Sequence, residues 1–208
     1  VTLPESPANS AFDMIAISFT DGRASDEIIL GEETYCEKSA APYKDTTYRT
    51  DIKPFKMSKY MVSYNTWYYV YQWAIKNGYK FINKGCEGMY TNGNNAAPYY
   101  KFNEGGVPQV EEMPAAGMSW RDTIIWCNAL SQMMKLTPVY YSDEAFTTPL
   151  KDSTQSTTQF ADTNWDKTPG KIDNPYVNQK ANGYRLPYTA EWEYAARKKK
   201  NGTCIEGR

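Results

Sequence analysis

The stretch GYRLPYTAEWEYAARKKK, residues 183–200, decides the fold. It reads as a turn, a proline at Pro187, and then a helix with Glu191, Trp192, Glu193, Tyr194 and Arg197 crowded into two turns. Such a concentration of charged and aromatic groups is either an active site or a firmly anchored helix. No nucleophile, base or metal cluster accompanies it, so Arg185, Glu191, Trp192 and Arg197 read as architecture. Arg185 is suited to a bidentate pair with a carboxylate on this helix or the preceding one. Trp192 is expected in the core, where truncation to alanine costs about 3–5 kcal/mol.

Working outward, the composition narrows the chemistry. At 208 residues the chain can bury a substantial core. Its 23 basic and 24 acidic side chains leave no net field favouring nucleic acid or a membrane surface. No apolar run approaches the roughly 18 residues of a spanning helix. There is no histidine, which removes Ser-His-Asp and Cys-His catalysis and histidine-containing zinc sites. Cys36, Cys86, Cys127 and Cys204 are widely spaced without a CxxC, and three two-disulfide pairings stay formally open. Eighteen tyrosines suit either a recognition surface or an aromatic core; the sequence leaves both readings standing.

Residues 13–19 and 54–62 read as strands, and another starts near Glu27. Ser63 offers an N-cap to a helix with Trp67, Val70, Tyr71, Ala74 and Ile75 on one face, closed by Gly78. Residues 83–106 form a long polar, glycine-rich loop, a type that is often functional. Ser119 caps a second helix, with Asp122 completing a capping box and Trp120, Ile124, Cys127, Leu130 and Met134 on one stripe. Cys127 is then a buried thiol packing as a small hydrophobe. LTPVYYS reads as a short strand, and residues 143–180 as a polar excursion. Within it, DTNWDK resembles the start of a calcium loop, but Lys167 replaces the glycine and Asp173 the final glutamate. Asx turns are the better reading, leaving calcium as the one candidate ion, in a structural role.

Taken in order, FKMSKYMVSYNTW, MPAAGMSWRDTIIWCNALSQMMKLTPVYY and NGYRLPYTAEWEYAAR resemble the formylglycine-generating, or sulfatase-modifying-factor, domain family. The resemblance covers nearly the whole chain and implies an irregular α+β fold related to C-type lectins. It implies a single domain over residues 1–208 that lacks its carboxyl-terminal part. Some members oxidise a sulfatase cysteine to formylglycine, using a cysteine pair and copper. Others, including variable proteins of diversity-generating retroelements, use the fold as a stage for binding.

The departures from the family pattern matter. None of the four cysteines matches a catalytic position. Met61 replaces the usual acidic residue before the first helix, and Tyr188 takes the N-cap place of a threonine while Glu191 is kept. The resemblance therefore implies a non-catalytic ligand-binding or surface-display protein, secreted or on the cell surface. NTWYYVYQWAIKNGYKF resembles the spirochaetal branch, where variable surface lipoproteins occur. The expected partner is a protein or other extracellular ligand, with a lipid anchor as one means of attachment. No catalytic, cofactor-binding or metal-ligating residue is assigned. The alternative is a formylglycine-generating oxidase whose catalytic part lies outside this chain.

Overall fold

Ser63 starts the first helix, as its place in the sequence predicts. In the computed structural model, which describes residues 14–19, 24–30, 48–88, 104–109, 113–154 and 166–197, α1 runs over Tyr64–Lys76. The Ser63 side chain accepts the Thr66 amide, filling one of the donors that a helix start leaves open. At the far end Gly78 sits at φ +82 and the Tyr79 amide returns to the Ala74 carbonyl. This closure favours a residue tolerant of left-handed backbone. Trp67, Val70, Tyr71 and Ala74 are buried as their spacing predicts. Ile75 is 42% exposed instead. At 3.6 residues per turn it lies about 80° around from Trp67, past the edge of the buried arc.

α2 spans Trp120–Met133, and both halves of the Ser119–Asp122 capping box form. Ile124, Cys127 and Leu130 point inward as expected, but Trp120 and Met134 are exposed. They stand at the two ends of the helix, outside its buried stretch. Between them Ile125, Trp126, Asn128 and Ala129 are buried too, so α2 is covered on nearly every side.

The two helices belong to one compact unit, drawn from the described residues between 60 and 186. Trp67 and Trp126 stack at 5.3 Å with planes 3° apart, and the Trp126 indole donates to the Trp67 carbonyl. Asn128, fully buried, donates to the carbonyls of Tyr140 and Leu150 and accepts the amides of Val139 and Tyr140. One side chain thereby holds β7 (Tyr140–Tyr141), which pairs antiparallel with β8 (Tyr176–Val177). A Cβ on Gly183 would lie 2.2 Å from the Thr137 carbonyl oxygen, so only glycine fits this approach. Tyr64, Tyr71, Tyr79, Tyr140 and Tyr141 are all buried, so much of the tyrosine content is core.

The second unit comprises, among the described residues, 14–19, 24–30, 48–59 and 187–197. β1 (Met14–Ile17) pairs antiparallel with β4 (Phe55–Ser58), and β2 (Asp26–Leu30) with β3 (Tyr48–Ile52). The strand expected over residues 54–62 ends at Ser58, and β3 has too little apolar alternation to be read from sequence. α3 covers Thr189–Arg197. Tyr194 and Ile52 form the centre of this core, with Ile17, Phe19, Phe55 and Ala190 packed on them. The Tyr194 hydroxyl donates to Asp26 at 2.7 Å.

Trp192 is the main correction. It is 61% exposed, and Tyr194, at 2%, occupies the core place expected for it. Tyr188 donates its amide to Glu191 at 2.9 Å, drawing Glu191 inward, and Tyr194 follows one turn later on the same side. Arg197 pairs with Glu193 along the helix. Arg185, in the first unit, donates to the Leu186 carbonyl.

Candidate functional site

The two described arms of the stretch read as a long polar loop, residues 83–88 and 104–109, form a stem that the core pins at several points. The Trp67 indole donates to the Lys84 carbonyl at 2.8 Å, and the Tyr64 hydroxyl to the Gly106 carbonyl at 3.0 Å. The Gly105 amide reaches the Gly85 carbonyl, which ties the two arms together. β5 (Cys86–Glu87) pairs with β6 (Ala115–Ala116), and Glu87 accepts the Gln109 amide at 2.7 Å. Gly85 is at φ +78, and a Cβ there would stand 2.4 Å from the Trp67 indole nitrogen. Glycine is required where backbone and tryptophan approach this closely. Residues 89–103 lie outside the described residues.

Below the stem sit the groups that could carry chemistry: Tyr64, Cys86 and Glu87, at 0%, 5% and 1% exposure. Burial, and then the neighbouring Cys86, Tyr68 and Glu87, raise the Tyr64 pKa, so its phenol stays a protonated donor. These reactive groups are buried. Lys84, Gly88, Glu104, Val107 and Gln109 are the described stem residues that face solvent.

Asp122 anchors the stem from beneath. Fully buried, it accepts from the Ser119 amide and hydroxyl, the Ile82 amide, the Asn83 amide and side chain, and the Ser153 hydroxyl. Sequence reading found only its capping role.

Cys127 is a buried free thiol, and burial pushes its pKa from the ordinary 9.0 up to about 12. Its folded pKa is raised, so the associated stability is complete below about pH 9 and lost as the pH climbs through about 12. Thiol reagents at neutral pH are therefore expected to label Cys127 only after unfolding. Mass spectrometry of native and urea-treated protein checks this, and rapid native labelling would show the thiol to be accessible.

The copper of catalytic relatives does not fit the cysteines seen here. Cys86 and Cys127 are both buried, and Cys127 is held as a neutral thiol. Cys36 and Cys204 lie outside the described residues. Among the described residues no three His, Cys, Asp or Glu side chains are grouped as metal ligands. In the calcium-like stretch Asp162 and Asn164 are also outside the described residues. Asp166 makes an Asx turn to the Thr168 amide. Asp173, at the twelfth position, is instead bound by both arms of Arg121. This is a bidentate pair, on residues that the sequence does not connect.

The model of the sulfatase-modifying factor enzyme 1-like domain, the FGE-sulfatase family, matches residues 6–204. The chain belongs to this family. It is 28% identical over 172 residues to the chaperone protein LppX of Paenibacillus barcinonensis. That alignment covers 83% of this chain and 45% of LppX. The crystal structure of CarF is similar in fold, with a TM-score of 0.56 and 23% identity, covering 91% of this chain and 57% of CarF. The chain thus spans under half the length of the curated relative it matches. The FGE-type fold accounts for the short strands around irregular connections. No helix among the described residues is long and apolar enough to cross a membrane.

Proposed function

We propose that this FGE-type domain is a non-catalytic binding module that presents the outer surface of its pinned stem to a protein partner outside the cell. One observation carries the reading. The phenol and carboxylate nearest the loop are buried and bonded to its stem and the thiol beside them is buried, whereas Lys84, Glu104, Val107 and Gln109 face outward. A nucleophile or general base has to touch its substrate. A binding surface gains instead from a rigid stem, because less conformational entropy is lost on association.

The name of LppX, a chaperone protein, supports a polypeptide as the bound partner. In its narrower form the reading makes the chain a variable protein of a diversity-generating retroelement on the cell surface. The support for that form is the likeness of the α1 segment to the spirochaetal branch.

The competing activity is oxidation of a sulfatase cysteine to formylglycine. The test is incubation of the chain with copper, oxygen and a peptide carrying C-x-P-x-R, followed by mass spectrometry. The peptide mass is expected to stay unchanged. Appearance of the formylglycine mass would overturn the non-catalytic reading.

A further inference from the structure

The carboxyl end of α1 gathers lysines from two stretches of the first unit. Lys76 is the last residue of the helix, and the Lys151 ammonium donates to the carbonyl of the next residue, Asn77, at 3.2 Å. The Lys80 amide donates to the Lys151 carbonyl and the Ser153 amide to the Lys80 carbonyl, so the two stretches run side by side. Residues 76–80 and 151–154 hold three lysines and one acid, Asp152, in a chain whose formal net charge is -1. One oxygen of Asp152 accepts the Thr154 amide and hydroxyl, and the other lies 3.8 Å from the Lys80 ammonium. One carboxylate therefore stands against three cations.

Cations at a helix end ordinarily serve the helix, by meeting its last carbonyls and the negative end of its dipole. Lys151 does this. Its ammonium donates to the Asn77 carbonyl and sits over the Tyr79 ring, 4.9 Å from the centroid. The Ala74 carbonyl is filled by the amides of Asn77 and Tyr79. Lys76 and Lys80 thus add charge beyond what the helix end uses. Both are exposed, the Lys80 side chain to 73%. Ile75 beside them, 42% exposed, adds an apolar contact.

We propose that this basic surface at the end of α1 docks a short acidic segment of a partner polypeptide. The occupant is argued from charge complementarity. Lysine ammoniums are compact point charges, and three of them on so small a footprint match two or three carboxylates. The chain as a whole gives no pull on a phosphate backbone, which disfavours nucleic acid. This inference is independent of the stem as a binding surface.

Fluorescence anisotropy with a labelled peptide of alternating glutamate and glycine, at low ionic strength, tests the proposal. Lys76→Gln with Lys80→Gln is expected to weaken peptide binding about tenfold, and Lys76→Arg with Lys80→Arg to retain it. Added salt should weaken the parent complex more than that of the glutamine variant. No binding by the parent, or equal affinity in parent and glutamine variant, would overturn the proposal. So would failure of the arginine variant to bind while its melting transition matches the parent's. Tighter binding of a DNA oligonucleotide than of the peptide would assign the surface to another polyanion and equally overturn it.

Discussion

Asp122→Ala is expected to cost on the order of 4 kcal/mol or more, the largest loss of any single substitution in the first unit. The carboxylate is fully buried and gathers donors from Ser119, Ile82, Asn83 and Ser153. Alanine leaves several of them without an acceptor, at about 1–3 kcal/mol for each buried group left unsatisfied. Ordinary surface substitutions stay within about 0.5 kcal/mol, so the two cases separate cleanly. Asp122→Asn retains a carbonyl acceptor and is expected to lose less. Urea unfolding of the three proteins measures the difference. Parent-like stability in Asp122→Ala would show that the stem is held by other contacts.

The second expectation contrasts two tryptophans. Trp67 is 2% exposed, stacks on Trp126 and donates to the Lys84 carbonyl. Trp67→Ala should therefore cost about 3–5 kcal/mol, as large aromatic truncations in cores do. Trp192→Ala in this chain should change stability by no more than about 0.5 kcal/mol, because its ring faces solvent. Thermal unfolding of both variants decides. A large loss for Trp192→Ala would restore the core role that the sequence suggests.

That contrast shows where sequence reading stops. Ser63, Gly78 and the Ser119–Asp122 box were legible because helix ends are governed by neighbours three or four residues apart. The inward phase of Trp67, Ile124 and Cys127 was legible from periodicity. In α3 two aromatic residues compete for the core within nine helical residues. The winner is set by Asp26 and Phe19, which meet Tyr194 from far along the chain. No local pattern contains that information.

The stem follows the same logic. Residues 83–106 read from the sequence as a long polar loop, but the pins of its described arms could not be read. Tyr64 meets Gly106 across 42 positions, and Glu87 meets Gln109 across 22. β5 and β6 are two residues each, too short for any alternation to appear. Arg121 and Asp173 were both visible as charges, but their pairing across 52 positions follows from the fold.

On the proposed reading, the outer stem binds a protein partner while the core beneath only holds it. The most direct measurement selects displayed random peptides on the parent chain, then compares their binding to a variant carrying Glu104→Lys and Val107→Arg. Both residues are exposed, so thermal unfolding should be nearly unchanged. The selected peptides should lose most of their affinity for the variant. Peptides that bind the variant as tightly as the parent, with its melting transition intact, would contradict the assignment of this surface.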